Sequence, residues 1–169
     1  MLPYIEIQTP QPWDLVGPRD LIVAGQNGTF EGAIGWSLQE GHDELRGVFN
    51  GQAFGIGQFS GTVAAANIDN SAMKLPRLFL TLSHAGPSGD PADFVSTTIP
   101  ILWGPLLVEG YEGWVPVTVA AGDTLSSLAA DHLGDADLWP VLHAANQHVV
   151  PDPDLIFAGQ QLRVPFVVN

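Results

Sequence analysis

The sequence has no cysteine, few basic side chains and no long apolar run, and each absence excludes a class of protein. Without cysteine the chain forms neither a disulfide framework nor a thiolate metal site. No apolar stretch approaches the roughly 20 residues of a membrane-spanning helix, so we expect no membrane insertion. Residues 1–15 lack the basic segment and the apolar core of a secretory signal, which predicts synthesis in the cytoplasm.

Basic residues are scarce relative to acidic ones. The chain has 5 Lys and Arg against 18 Asp and Glu, a formal net charge of −13. Residues 1–114 carry 12 acidic and 4 basic groups, a net charge of −8, and residues 115–169 carry 6 and 1, a net charge of −5. This charge repels the phosphates of nucleic acids and anionic lipids, so we expect neither as a partner. Neutral glycans and basic protein surfaces are compatible with it.

Glycine and proline are abundant and divide residues 1–108 into short apolar segments. The 169 residues include 19 Gly and 14 Pro, and 46% are hydrophobic, as in turn-rich β domains. Alternating or apolar segments predict six or seven strands, at residues 5–7, 21–25, 30–38, 48–63, 76–83 and 96–103. One helical turn fits at 67–75. The pattern predicts an all-β antiparallel sandwich.

Residues 115–166 begin with a strand that leads into a helix. The β-branched segment 115–119 predicts the strand, and Gly122 permits a tight turn after it. Either Asp123 or Thr124 can cap the first free N–H groups of the helix that follows.

A second helix and a last strand complete this region. Gly134 ends the first helix, Asp135 or Asp137 opens the second, and Pro140 lies where a first-turn proline is tolerated. A strand is predicted at 162–164, so the order is strand, helix, helix, strand.

Three motifs in this region point to a known family. They are V-x-V-x-x-G-D-T-L-x-x-L-A at 117–129, W-x-x-L-x-x-A-N at 139–146 and P-D-x-I-x-x-G-Q-x-L-x-V-P at 153–165. In this order they resemble the LysM domain over nearly its whole length. The resemblance implies a small α+β module, β-α-α-β, that binds N-acetylglucosamine-containing polymers, peptidoglycan or chitin, without cleaving them.

The resemblance also implies a sugar site, a shallow groove between the loop after the first strand and the loop before the second. On this sequence the glycan-binding residues are Gly122, Asp123, Thr124 and Leu125 in the first loop and Pro153, Asp154, Leu155 and Ile156 in the second. Adjacent loops can offer apolar surface for the acetyl methyl group and backbone groups for the amide. We expect Asp123 to cap the helix first and to contact a ligand second.

The N-terminal region contains four motifs of a second family. They are I-x-I-x-x-P at 5–10, V-G-P-R-D-L-I-V-A-G at 16–25, T-F-E-G-x-I-x-W-x-L at 29–38 and G-x-G-x-F at 55–59. They resemble the immunoglobulin-like domain of bacterial spore-germination and related envelope proteins. The resemblance implies an accessory module with protein or surface partners and no chemistry of its own.

Together the resemblances divide the chain into an immunoglobulin-like sandwich at 1–108, a linker at 109–114 and a LysM domain at 115–169. The segment 104–114 contains three glycines and one proline, which allows bending but little separation. Tyr111 and Trp114 are available to pack on either side. We therefore expect the two domains to touch.

The residues give no indication of catalysis, a metal or a cofactor. The histidines lack the spacing of a metal cluster; they are His42, His84, His132, His143 and His148. The carboxylate pairs at 135 and 137 and at 152 and 154 fit caps and turns, and no G-x-S-x-G motif is present. We expect a non-catalytic protein.

Two tryptophans bear on the prediction of a sugar site. Trp139 lies among apolar residues at the start of the second helix, which favours burial against the first helix over stacking on a sugar. Trp13, between Pro12 and Asp14, is expected in a loop as a surface contact. Trp36 alternates with apolar residues and is expected in the core.

Two functions fit these predictions. The first is a non-catalytic glycan-binding protein whose sandwich domain contacts a protein partner. The second is a structural assembly component, such as a baseplate part of a phage tail or contractile injection system, or a cell-surface assembly, in which LysM docks a protein. The apparent lack of a signal requires non-classical delivery to the envelope for the first and fits incorporation into an assembly for the second.

Overall fold

A computed structural model describes residues 4–28, 33–50, 57–84 and 94–167. Within the N-terminal half, residues 4–107, the described residues form eight strands and two short helices. They are β1 (Ile5–Thr9), β2 (Leu15–Val16), β3 (Leu21–Asn27), β4 (Ala33–Gln39), β5 (Glu44–Asn50), β6 (Gly57–Val63), α1 (Ala65–Asp69), β7 (Arg77–His84), β8 (Val95–Trp103) and α2 (Gly104–Leu107).

The eight strands form two sheets, with orders β1-β3-β6 and β2-β8-β7-β4-β5. One apolar cluster takes buried side chains from both sheets and from α1, including Val23, Ile34, Leu80 and Ile68. Alternation explains this packing, because every second residue of β7 is buried and its neighbours face outward. Burial of these side chains is the main stabilisation of this half.

The predicted strands are present in the described residues, together with one strand that was not predicted. β2 was not predicted, and it pairs in parallel with β8, so the prediction of a purely antiparallel arrangement is wrong at that edge. The predicted strand residue Phe30 and the motif residue Gly55 lie outside the described residues. Trp36 is half-buried and packs against the main cluster, with its ring 5.8 Å from that of Phe49. The immunoglobulin-like identity of this half stays a prediction.

The C-terminal half, residues 111–167, has the predicted order of elements. They are β9 (Tyr111–Thr118), α3 (Leu125–Leu133), a 3-10 turn (Ala136–Leu138), α4 (Trp139–Asn146) and β10 (Gln161–Val167). β9 and β10 pair antiparallel, with Val117 opposite Leu162. The helices cover this pair through a second apolar cluster that includes Leu128 and Leu142. No helix within the described residues combines the length and apolar character needed to cross a bilayer.

Local signals in the sequence explain the ends of both helices. Gly134 has a φ of 83° and terminates α3 in the left-handed conformation. The Asp135 side chain accepts a hydrogen bond of 2.9 Å from the N–H of Asp137 and so opens the 3-10 turn. Pro140 lies in the first turn of α4, where no N–H is needed.

The two halves meet through a small apolar cluster. It contains Leu15, Leu102, Tyr111 and Ala145, so it joins two strands of the first half to β9 and α4. The Tyr111 hydroxyl donates to the carbonyl of Leu15 at 3.4 Å, and burial raises the pKa of Tyr111 to about 12. The expected contact between the halves is therefore present. The strand β9 begins at Tyr111, inside the segment predicted as a linker, so residues 111–114 are part of a sheet.

Polar and aromatic contacts surround this cluster. Arg163 donates through Nη1 to the carbonyl of Trp13, and its Nη2 lies 3.6 Å from Oδ1 of Asp14. The ring of Trp13 stacks on that of His148, with centroids 6.0 Å apart and planes at 7°. The guanidinium of Arg163 also lies 5.3 Å from the centre of the Trp114 ring. Trp13, predicted as a surface contact, instead packs between the two halves.

We expect this contact to weaken as the pH falls below the ordinary pKa of histidine. Burial lowers the pKa of His148, the positive charge of Arg163 lowers it further, and Asp14 opposes both. The folded pKa thus lies below the ordinary 6.5, so the unfolded chain binds the proton more readily. The stability contributed by the neutral ring is complete above that pH and is lost as the pH falls from it toward the folded pKa.

Urea unfolding between about pH 7.5 and about pH 5 measures this loss. The variant His148→Gln should show a shallower dependence of stability on pH than the unmodified protein. The control His132→Gln changes an exposed histidine of α3 and should keep the original dependence. Identical pH dependences for His148→Gln and the unmodified protein would contradict the assignment.

Candidate functional site

A groove of about 360 Å³ opens between the first loop, residues 119–124, and the second loop, residues 147–160. Its lining residues are Asp123, Thr124, Leu125, Ser126, Trp139, Pro153, Asp154 and Ile156. Six of the eight residues predicted from the LysM resemblance line it. Of the other two, Gly122 has a φ of 93° and makes the turn of the first loop, and Leu155 lies outside the lining with 55% of its surface exposed.

The wall formed by the first loop is fixed by two separate hydrogen-bond systems. Thr124 is the N-cap of α3, because its Oγ1 accepts from the N–H of Ser127 at 3.0 Å and Ser127 Oγ accepts from the N–H of Thr124 at 2.9 Å. Asp123 Oδ2 accepts from the N–H of Ala120 at 2.7 Å. The expectation that Asp123 caps the helix is therefore wrong, since its carboxylate closes the turn before it.

The second loop is held by turns and by one glutamine. The N–H of Asp154 donates to Oδ1 of Asp152 at 3.0 Å, which makes a local turn. Gln160 accepts from the N–H of Phe157 and donates to the carbonyl of Val149, both at 3.1 Å. Among the described residues the carboxylate of Asp154 has no hydrogen-bond or ion-pair partner, and it faces solvent.

Apolar surface forms the rest of the groove. Leu125 is buried and Ile156 is half-buried against the second cluster. The Trp139 side chain lines the groove and is 37% exposed, so the prediction that it is buried between the helices is wrong. Trp139 is the first residue of α4, and the buried side chains of that helix, such as Leu142, begin one turn later. Its ring lies 6.5 Å from that of His143, whose Nε2 is 2.9 Å from the carbonyl of Val150.

The groove therefore combines an aromatic ring, two apolar side chains and free backbone donors. The first N–H groups of a helix have no intrahelical acceptor, and here they include those of Leu125 and Ser126, two residues that line the groove. Within the described ranges no three His, Asp or Glu side chains lie close enough to hold a metal ion. The arrangement is suited to a small ligand that offers both apolar faces and hydrogen-bond acceptors.

Comparison with known families agrees with this geometry. Residues 117–165 match the family model of the LysM domain. These residues are a LysM domain. The match extends from β9 to β10 and contains both loops of the groove.

Three curated proteins are similar in sequence to part of this chain. The potassium binding protein Kbp of Escherichia coli is 42% identical over 48 residues, which cover 28% of this chain and 32% of Kbp. Esterase Rv1288 and Esterase MT1326 of Mycobacterium tuberculosis are each 53% identical over 45 residues, 27% of this chain and 9% of the esterase. The chain thus matches about a third of Kbp and about a tenth of each esterase. The stretch shared with the esterases is the LysM domain alone.

One solved structure has a similar arrangement over part of the chain. The crystal structure of wild-type OgpA from Akkermansia muciniphila has a TM-score of 0.46 and 13% sequence identity, and it covers 61% of this chain and 28% of that protein.

Proposed function

We propose that the LysM domain binds N-acetylglucosamine-containing polymer, peptidoglycan or chitin, in this groove without cleaving it. The observation that carries the proposal is the convergence of six residues from two separate loops with the exposed ring of Trp139 around one groove. A LysM domain supports a role in binding such polymers in general. The position of the sugar and the roles of individual residues are part of our proposal.

The chemistry of the sugar matches the lining. A pyranose ring has an apolar face that can pack on the ring of Trp139, and an acetamide has a methyl group that can pack on Leu125 and Ile156. The free N–H groups of Leu125 and Ser126 can donate to the acetamide carbonyl or to a hydroxyl. A disaccharide would fill much of a groove of about 360 Å³.

A groove of this kind binds weakly. It is shallow, partly polar and small, so dissociation constants of about a micromolar to a millimolar are expected. Several copies of the protein on one polymer would raise the effective affinity. In this proposal the N-terminal half is an accessory domain that contacts a protein partner. The assembly role remains the alternative, and it predicts no retention on either polymer.

Trp139→Ala should weaken binding to chitin oligomers by roughly thirtyfold, because loss of a central aromatic contact costs about 2 kcal/mol. Trp114→Ala is the matched control. Trp114 belongs to the same domain and is 39% exposed, but it lines a different cleft, with Arg163 and His148. The Trp114→Ala variant should keep its affinity for chitin oligomers to within about a factor of two.

Isothermal titration with a chitin oligomer and sedimentation with insoluble peptidoglycan measure the two affinities. Far-ultraviolet circular dichroism verifies that each variant is folded. Equal weakening by Trp139→Ala and Trp114→Ala would exclude Trp139 as the stacking residue. Release of soluble sugar from either polymer would contradict binding without cleavage.

A further inference from the structure

The charged side chains that line the groove are all negative. Asp123 and Asp154 line it, and its lining contains no Lys, Arg or His. The only Lys or Arg in residues 115–169 is Arg163, which is engaged with Asp14 and Trp13 at the contact between the halves. His143, against the ring of Trp139, already uses Nε2 on the carbonyl of Val150. A ligand in the groove therefore meets negative charge that no basic lining residue balances.

The two carboxylates are not equivalent. Asp123 uses one oxygen to accept from the N–H of Ala120, which fixes it in the turn. The backbone N–H of Asp154 donates to Oδ1 of Asp152. The carboxylate of Asp154 is exposed and has no partner within the described residues. Pairing Asp154 with a cation therefore requires no hydrogen bond to be broken.

Three forms of the sugar differ in charge at positions that the groove would contact. N-acetylglucosamine is neutral, N-acetylmuramic acid without a stem peptide carries a lactyl carboxylate, and glucosamine without its acetyl group carries an ammonium. A carboxylate beside Asp123 and Asp154 adds like-charge repulsion, and an ammonium beside Asp154 adds attraction and a charged hydrogen bond. An N-acetyl group on an adjacent unit keeps the apolar contacts with Leu125 and Ile156.

We propose that the groove selects partly deacetylated N-acetylglucosamine chains, with Asp154 pairing with a glucosamine ammonium. This inference rests on the proposed function, because it specifies the ligand of the same groove. Asp154 acts here as a specificity residue, and Trp139 supplies the contact that every form of the sugar shares. Glycans whose muramic acid lacks a stem peptide, and so carries a free carboxylate, are the disfavoured ligands.

The test compares two chitin oligomers of equal length, one fully acetylated and one partly deacetylated. Titration is made at about pH 5.5, so that the glucosamine amine is protonated. The unmodified protein should bind the partly deacetylated oligomer about twofold to fivefold more tightly, as expected for an exposed ion pair. Raising the ionic strength to about 1 M, where the Debye length is about 3 Å, should remove the difference.

Two variants separate the local charge from the net charge of the domain. Asp154→Asn should bind both oligomers equally. Asp131→Asn removes the same charge from an exposed position of α3 outside the groove and should keep the preference. If Asp154→Asn keeps the preference, or if the unmodified protein has none while it binds the acetylated oligomer, this inference is overturned and the proposed function stands. If neither oligomer binds, both are overturned.

Discussion

Asn146→Leu should destabilise the C-terminal half by about 3 kcal/mol, because the substitution leaves buried backbone groups without partners. Asn146 is fully buried at the end of α4. Its Oδ1 accepts from the N–H of Arg163 at 2.7 Å, and its Nδ2 donates to the carbonyl of Arg163 at 2.7 Å. The amide thus pairs with the backbone of β10 as a neighbouring strand would. Nδ2 also donates to the carbonyl of Leu142 at 2.8 Å.

Leucine has the same branching at Cγ as asparagine, with methyl groups in place of the amide oxygen and nitrogen, so the variant removes the hydrogen bonds. Its larger volume adds some overpacking at this buried position, which acts in the same direction. Each buried backbone group that loses its partner costs about 1 to 3 kcal/mol, and both groups of Arg163 are affected. Urea unfolding measures the change from the shift of the midpoint at constant slope.

Asn67→Leu is the control, because Asn67 is exposed on α1 of the other half. It should change the free energy of unfolding by less than about 0.5 kcal/mol. A loss below about 1 kcal/mol for Asn146→Leu would show that the pairing with Arg163 adds little to stability.

The sequence predicts the C-terminal half well because its signals are local. Gly134 needs a left-handed conformation and Pro140 tolerates only the start of a helix, so both fix a helix end without reference to the rest of the chain. The loops of the groove were predicted in a different way, from the LysM resemblance. Six of the eight residues predicted from it line one groove, although their role in glycan binding stays a prediction.

Contacts between distant parts of the chain could not be predicted. Helical spacing places Trp139 on the same side of α4 as Leu142, which predicts burial for both. Whether Trp139 is covered depends on how far α3 extends along α4, and the sequence does not show that. The choice of Thr124 over Asp123 as cap is local, but the sequence allows both; it depends on the hydrogen bond that the Asp123 carboxylate accepts from the Ala120 N–H.

The residues that make the contact between the halves could not be predicted from the sequence either. Trp13 and His148 are far apart in the chain, and only the docking of the two halves brings their rings together. The glycines around residues 111–114 are typical of a linker, yet these residues pair with β10 and form part of a strand. Tertiary pairing overrides local preference there.

Ala145→Asp should separate the two halves. Ala145 is fully buried in the cluster with Leu15, Leu102 and Tyr111, where a carboxylate would have apolar neighbours on both sides. Burying an unpaired charge of this kind costs about 4 kcal/mol or more. Each half has its own apolar cluster, so the chain can avoid the cost by opening the contact while both halves stay folded.

Calorimetry should therefore show one transition in the unmodified protein and two in Ala145→Asp, with the less stable half unfolding about 10 °C lower. The control Ala130→Asp adds the same charge at an exposed position of α3 and should keep a single transition. If Ala145→Asp instead shows a single transition at a lower temperature, so that both halves unfold together, neither half is stable alone. In that case the orientation of the groove relative to the N-terminal sheets is fixed for as long as the protein is folded.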